Sequence, residues 1–166
     1  MCLWLQSMGA VLRGVALSPP TNPSLFEVAS VADGMHSFLS DIRDFSKVRA
    51  NIEDLKPEVL FHMAAQPLVR RSYDEPLETY STNLMGTLHV LEAARFLDTV
   101  KSIVNVTTDK CYESKEWVWG YREIEPMGGM TPTPVVRHAR SLLLRPIEIH
   151  FLLKQEFNWR VCVRAM

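Results

Sequence analysis

Residues 58–64 have the sequence EVLFHMA, and residues 101–108 have the sequence KSIVNVTT. Both are short, mainly apolar runs of the kind that form buried strands of a parallel sheet. Between them lies a predicted long helix, residues 77–96, with four apolar residues on one side: Leu84, Leu88, Leu91 and Ala94. A strand, a helix and a second strand at this spacing predict an α/β fold built on a doubly wound parallel sheet.

The upstream part of the chain continues this alternation. Residues 2–8 are predicted to be helical, and residues 11–17 to form a short strand. Three prolines within residues 18–23 predict a loop, while residues 25–35 indicate a weak helix or an irregular connection. Residues 44–52 show helical spacing and begin with an aspartate, which can cap the N terminus of a helix.

The composition excludes several classes of protein. The chain has 166 residues, with 18 basic and 19 acidic side chains and a formal net charge of -1. This balance gives no electrostatic basis for binding nucleic acid or an anionic membrane. No run approaches the roughly 18 apolar residues that a membrane helix needs. Three scattered cysteines predict neither a disulfide framework nor a zinc site, so no metal is expected. The first ten residues lack the features of a signal peptide, and a cytoplasmic location is predicted.

The first candidate site follows the strand at residues 58–64. Ligands of doubly wound sheets bind beyond the carboxyl ends of the strands. Ala64 and Ala65 would let a flat cofactor approach the main chain closely, and Gln66 could hydrogen-bond a ribose or an amide. The alternative is a tight turn whose small residues serve packing, and spacing alone slightly favours that alternative.

The second candidate site follows the strand at residues 101–108. A hydroxyl, a carboxylate and an amine at Thr108, Asp109 and Lys110 could support proton transfer, because each group shifts its neighbours' pKa. The alternative is a polar turn with a surface ion pair. Cys111 has no evident base partner and is interpreted as an inert cysteine. The aromatic residues within 117–121 indicate loop packing rather than a nucleic-acid platform.

Six segments of the chain carry a family resemblance: residues 20–27 (PTNPSLFE), 41–45 (DIRDF), 61–70 (FHMAAQPLVR), 79–83 (TYSTN), 108–112 (TDKCY) and 116–123 (EWVWGYRE). Together they resemble the CDP-glucose 4,6-dehydratases, a group of extended short-chain dehydrogenase/reductases. The resemblance is continuous from about residue 3 to Gly129. The Asp109–Lys110 pair and the aromatic string at residues 117–123 are specific to this group within the superfamily.

The resemblance implies a fold and a reaction. The fold is a Rossmann domain with a smaller C-terminal sugar-nucleotide domain, and the proteins form homodimers. The implied substrate is CDP-glucose, and the implied cofactor is tightly held NAD. A hydride leaves the sugar C4 to NAD, water is lost across C5 and C6, and the hydride returns to C6. The product serves the synthesis of surface polysaccharide.

The resemblance also implies roles for individual residues. Asp109 would protonate the departing C6 hydroxyl, Lys110 would help to transfer the C5 proton, and Thr108 would hydrogen-bond the sugar 4-hydroxyl. The implied cofactor-binding residues are Asp41 and Ile42 beside the adenine, Ala64, Ala65 and Gln66 along the NAD ribose and phosphates, and Thr107.

The chain departs from the family pattern at both ends. We expect a partial Rossmann-like sheet without the family's first strand and glycine-rich loop, and without the C-terminal sugar-nucleotide domain. The family's catalytic tyrosine and lysine would fall at Thr133 and Arg137. The predicted domains are therefore a partial NAD-binding domain over residues 1–129 and a non-native tail over residues 130–166.

The tail fits translation in the wrong frame. If one base was lost at the Gly129 codon, residues 130–141 are compatible with an original YDPYSSSKACAE, which restores both the tyrosine and the lysine. We therefore interpret residues 130–166 as out-of-frame translation and expect the chain as written to be inactive. Two alternatives remain: another sugar-nucleotide epimerase or dehydratase, and a non-catalytic fragment that binds partner subunits through the helix at residues 77–96.

Overall fold

The computed structural model describes residues 1–106, 112–122 and 124–126. The strands are β1 (Leu12–Ala16), β2 (Met35–Leu39), β3 (Val59–His62) and β4 (Ser102–Asn105). The helices are α1 (Cys2–Ser7), α2 (Leu25–Val28), α3 (Phe45–Leu55), α4 (Val69–Asp74), α5 (Pro76–Tyr80) and α6 (Gly86–Arg95). A 3-10 turn spans Val31–Gly34, and a π-helical turn at Ser81–Met85 joins α5 to α6.

The four strands form two parallel pairs. β1 pairs with β2, with Leu12 opposite Met35, and β3 pairs with β4, with Val59 opposite Ser102. Among the described residues these pairs form two separate two-stranded parallel sheets. Parallel strands that alternate with helices along the chain confirm the predicted partial α/β fold.

Helix α3 forms as its sequence predicts. The Asp44 side chain accepts a hydrogen bond of 3.2 Å from the main-chain N–H of Lys47, which satisfies one of the free donors of the first turn. The helix ends where Lys56 adopts a left-handed conformation with φ of 43°, immediately before Pro57. Helical spacing places Val48 and Ile52 on the buried face.

Replacing the α3 cap, Asp44→Ala, should lower the melting temperature by about 2–4 °C. The change leaves the Lys47 N–H without its side-chain acceptor. Asp44→Asn keeps an acceptor oxygen at the cap and is the matched control, for which we expect a much smaller shift. Thermal unfolding followed by circular dichroism measures both. Equal melting temperatures for the alanine variant and the parent would contradict a stabilising cap.

The core lies between α3 and α6. Val48 and Ile52 of α3 are buried against Val90 and Ala93 of α6, and Leu60 of β3 packs against this cluster. The cluster links the two strand pairs, because α3 follows β2 whereas α6 connects β3 to β4. Burial of this apolar surface is the main force that holds the pairs in one fold.

Three features differ from the sequence expectations. The single helix predicted over residues 77–96 is divided by the π-helical turn at Ser81–Met85. Helix α4 was not predicted. No strand was predicted at β2, whose first residue, Met35, ends the segment predicted as a weak helix or an irregular connection. The polar residues His36 and Ser37 interrupt the apolar pattern that would indicate a strand. Pairing with β1 along its whole length fixes β2 as a strand.

Within the described residues, no helix is both long and apolar enough to cross a bilayer.

Candidate functional site

The carboxyl ends of β3 and β4 lie side by side. His62 is opposite Asn105, both residues are buried, and the Val106 N–H donates to the His62 carbonyl at 3.0 Å. The segments that leave these two strands therefore start from one edge of the sheet. Five residues that follow β4, the predicted site residues Thr107, Thr108, Asp109 and Lys110 together with Cys111, lie outside the described residues.

A buried asparagine holds the segment that leaves β3. The Asn83 side chain accepts from the Gln66 N–H at 2.7 Å and donates to the Gln66 carbonyl at 3.0 Å. Asn83 is fully buried in the π-helical turn. These two bonds satisfy both main-chain polar groups of Gln66, so the path of the loop is fixed by one side chain.

The Gln66 side chain is engaged within the protein. Its Nε2 donates to the Leu68 carbonyl at 3.1 Å and to the Thr79 hydroxyl at 3.0 Å, while its Oε1 accepts from the Leu68 N–H. Both donors of the amide are used, which leaves a single acceptor position. Gln66 is also buried. The side chain has no free donor for the predicted hydrogen bond to a ribose or an amide, but one acceptor position of Oε1 remains. The internal hydrogen bonds shape the loop, and cofactor binding by Gln66 stays a prediction.

A second buried link joins β3 to α6. His62 Nε2 lies 2.9 Å from the Thr87 hydroxyl, which itself donates to the Asn83 carbonyl at 2.7 Å. A hydroxyl has one proton to donate, so the His62 ring must donate through Nε2. The carboxyl end of β3 and the loop after it are thus held by one connected polar network of buried side chains: His62, Gln66, Thr79, Asn83 and Thr87.

Sequence reasoning missed the helix side of this network. Thr79, Asn83 and Thr87 recur at intervals of four residues, so they share one face of the helical segment. All three are fully buried. The polar stripe at helical spacing is the signal that the sequence carries, but a solvent-exposed helix face gives the same pattern.

Ala64 and Ala65 are half-buried between β3 and Gln66. Their methyl side chains leave room for close approach to a main chain whose position is already fixed at Gln66. This arrangement suits a flat cofactor, and it equally suits packing of the turn, so the two interpretations of these alanines both stand. Among the residues that the structure describes, no group of three His, Cys, Asp or Glu side chains forms a metal site.

The loop after β2 carries an ion pair. The Asp41 carboxylate accepts from the Arg43 N–H at 2.8 Å and from the Arg43 Nε at 2.9 Å. Hydrogen bonding from Arg43 holds the pKa of Asp41 below its usual range, so the carboxylate is ionised at neutral pH. Arg43 also lies 3.7 Å from Glu78 of α5. A partly exposed anion therefore stands at the end of β2.

Ile42 faces the helix rather than the solvent. A Cβ atom placed on Gly86 would lie 2.5 Å from the Ile42 Cδ1, so the glycine allows this close contact. The Ile42 carbonyl accepts a 2.9 Å hydrogen bond from His89 Nδ1. The segment from α5 to α6 therefore contacts the loop after β2 through Gly86 and His89, and the loop after β3 through Asn83. One helical segment sets the positions of both predicted cofactor-binding loops.

Replacing Gly86 with alanine should displace Ile42 in the loop after β2 and destabilise the protein. Gly86→Ala places a methyl group against Ile42, at a cost of about 1–3 kcal/mol for overpacking, partly offset by about 1 kcal/mol of better helix propensity. We expect a net loss of about 1 kcal/mol in the free energy of unfolding, measured by urea denaturation.

The matched control for this substitution is a double variant. Ile42→Ala removes both Cγ1 and Cδ1, the atoms nearest the added methyl group. In that background, Gly86→Ala should no longer destabilise the protein. A loss of the same size in both backgrounds would show that the Ile42 contact is not its cause.

The family model for GDP-mannose 4,6 dehydratases matches residues 23–132. The chain belongs to this family. It is 58% identical over 132 residues to CDP-glucose 4,6-dehydratase of Salmonella typhimurium, an alignment that covers 80% of this chain and 37% of that protein. The chain thus spans well under two thirds of the length of this relative. The resemblance inferred from the sequence motifs is confirmed.

Solved structures of the same fold are found among epimerases. UDP-glucose 4-epimerase of Thermotoga maritima, solved with UDP-glucose, superposes on this chain with a TM-score of 0.77 at 22% sequence identity. The match covers 95% of this chain and 48% of the epimerase chain. UDP-glucose 4-epimerase of Stenotrophomonas maltophila, solved with NAD and formylated UDP-arabinopyranose, superposes with a TM-score of 0.78 at 21% sequence identity. This match covers 95% of this chain and 46% of the epimerase chain. These matches confirm the Rossmann-type fold of this family member.

Proposed function

We propose that this chain is part of a CDP-glucose 4,6-dehydratase, a cytoplasmic, homodimeric enzyme that uses NAD to convert CDP-glucose to its 4-keto-6-deoxy product. The observation that carries the proposal is the 58% identity over 132 residues to a protein of that activity. The arrangement of the strand ends supports it, because one helical segment contacts both the loop after β2 and the loop after β3, and ligands of doubly wound sheets bind beyond the carboxyl ends of the strands.

The described residues fit NAD at this edge. The half-buried Ala64 and Ala65 present main chain that a flat ligand can reach, and the ionised Asp41 stands at the end of the neighbouring strand pair. In this proposal Asp41 and Ile42 contact the adenine, and Thr107 belongs to the same cofactor-binding set. Ala64, Ala65 and Gln66 line the path of the NAD ribose and phosphates, and Gln66 also holds the loop through its internal hydrogen bonds. NAD, when bound, supplies the hydride acceptor for the sugar C4.

The elimination step belongs to the residues after β4. Loss of water breaks the C5–H and C6–O bonds of the sugar. Asp109 gives its proton to the departing C6 hydroxyl, and Lys110, in its neutral form, takes the proton from C5. Thr108 hydrogen-bonds the sugar 4-hydroxyl. A lysine beside a carboxylic acid must lose its charge to act in this way, which burial beside a bound cofactor favours.

We further propose that residues 130–166 are an out-of-frame tail, so that the chain as written has no dehydratase activity. Thr133 and Arg137 stand where the family's catalytic tyrosine and lysine are expected. The family match ends at residue 132, which supports a boundary in this region. Without the tyrosine, no base removes the proton of the sugar 4-hydroxyl.

Two experiments test the proposal. The first is to sequence the DNA around the Gly129 codon and upstream of the Met1 codon. After the Gly129 codon we expect a reading frame that encodes YDPYSSSK. The second is to express the complete restored gene and incubate the protein with CDP-glucose. A dehydratase removes one water from the sugar nucleotide, whereas an epimerase leaves its mass unchanged, so mass spectrometry separates the two. A product of unchanged mass, or turnover by the 166-residue chain itself, would contradict the proposal.

A further inference from the structure

The Asp41 carboxylate is held by several N–H groups of Arg43. The main-chain N–H donates to Oδ1 at 2.8 Å, Nε donates to Oδ2 at 2.9 Å and lies 3.1 Å from Oδ1, and Nη2 donates to Oδ2. A carboxylate can accept about four hydrogen bonds, so these donors leave about one acceptor position open. Because the contact is charge-assisted and uses both oxygens, it fixes the orientation of the carboxylate.

Glu78 of α5 also contacts Arg43. One Glu78 oxygen lies 3.7 Å from Arg43 Nη1, and the other lies 2.7 Å from Nη2 of Arg71 in α4. Four side chains of alternating charge therefore run from the loop after β2 to α4, in the order Asp41, Arg43, Glu78 and Arg71. This chain of charges restrains the guanidinium that orients Asp41.

Stability alone does not account for the contact between Arg43 and Asp41. The two side chains remain 41% and 28% exposed, and ion pairs at such positions contribute little to the free energy of unfolding. The pair of Arg49 and Glu53 on α3, at 2.7 Å, is of this ordinary kind. Asp41 differs in its position, since it follows the carboxyl end of β2, and ligands of doubly wound sheets bind beyond such strand ends.

We propose that Arg43 is a positioning residue for the adenine of NAD, because it holds the Asp41 carboxylate so that the remaining acceptor position is available to the 6-amino group of the base. The inference rests on the proposed function, which places Asp41 beside the adenine. An amino group can donate to that position. The 6-oxo group of hypoxanthine has no proton to donate there, and a carboxylate repels it. The ion pair therefore sets a preference for adenine over a base with a carbonyl at C6.

The first test uses the enzyme expressed from the complete restored gene, freed of cofactor and titrated calorimetrically with NAD or nicotinamide hypoxanthine dinucleotide. We expect the parent to bind NAD about tenfold more tightly than the analogue, since a site built around a hydrogen bond rejects a ligand that cannot make it. Arg43→Met removes the side-chain donors and should reduce this preference to about twofold. Arg43→Lys keeps the charge and one donor group, and should recover part of the preference.

The second test uses the 166-residue chain itself and needs no cofactor. Hydrogen bonds from Arg43 lower the pKa of Asp41, so Arg43→Met should raise that pKa toward its usual value, as followed by carboxyl-carbon NMR. The negative charge of Asp44, which raises the pKa of Asp41, is the same in both proteins. Arg49→Met removes the matched ion pair with Glu53 and should change neither the pKa of Asp41 nor the base preference.

The two tests separate this inference from the proposed function. An unchanged Asp41 pKa in Arg43→Met would overturn the inference, because Arg43 would not hold the carboxylate. Equal affinity of the parent for the two dinucleotides, in an enzyme that dehydrates CDP-glucose, would overturn it and leave the proposed function standing. An equal loss of affinity for both dinucleotides in Arg43→Met would overturn it as well, since Arg43 would then act only through its charge. A parent enzyme that binds neither dinucleotide would overturn the proposed function together with this inference.

Discussion

Replacing Asn83 with alanine should lower the free energy of unfolding by about 2–4 kcal/mol. The Asn83 side chain makes two hydrogen bonds to the main chain of Gln66, and all of these groups are buried. The alanine variant leaves one N–H and one carbonyl without a partner, and each such group costs about 1–3 kcal/mol. Equilibrium urea denaturation measures the loss.

A matched asparagine separates this effect from a general cost of the substitution. Asn51 lies on α3, is half-buried, and Asn51→Ala should change the free energy of unfolding by less than about 0.5 kcal/mol. Hydrogen exchange gives a local measurement, since the Gln66 N–H should exchange faster in the Asn83 variant. Equal losses for the two variants would mean that the buried asparagine does not stabilise the loop.

The contrast between Asn83 and Asp44 shows what sequence alone can predict. The Asp44 cap acts on Lys47, three residues away, so the pattern that predicts it is complete within one short segment. The partners of Asn83 lie seventeen residues earlier, in a loop whose position depends on the sheet. Polar residues at helical spacing therefore look like a solvent-exposed face, and only the tertiary fold shows that they are buried.

The strands follow the same rule. β3 and β4 lie within short, mainly apolar runs, and this local property was enough to predict both. β2 mixes polar and apolar residues and exists because β1 pairs with it. Likewise, the cofactor-binding roles of Asp41 and Ile42 were predicted only through the family resemblance, whereas the contact between Gly86 and Ile42 requires coordinates. Sequence predicted β1, β3, β4, α3 and the candidate residues, whereas β2, α4 and the contacts between elements required the structure.

In the enzyme expressed from the complete restored gene, Asp109→Asn should lower kcat for CDP-glucose by about 100-fold to 10,000-fold. In the proposed elimination, the C6 hydroxyl leaves as water only if it receives a proton, and an asparagine amide has no acidic proton to give. The measurement is the rate at which the sugar nucleotide loses one water, followed by mass spectrometry at saturating CDP-glucose.

The neighbouring residue provides the control. Cys111 lies two positions further along the same segment and is interpreted as inert, so Cys111→Ser should leave kcat within about twofold of the parent. Asp109→Glu retains an acid of similar pKa and should recover part of the rate, which a purely structural role for the side chain would not explain. If Asp109→Asn keeps a kcat close to that of Cys111→Ser, another group must supply the proton. The assignment of Asp109 would then be wrong even though the chain belongs to the dehydratase family.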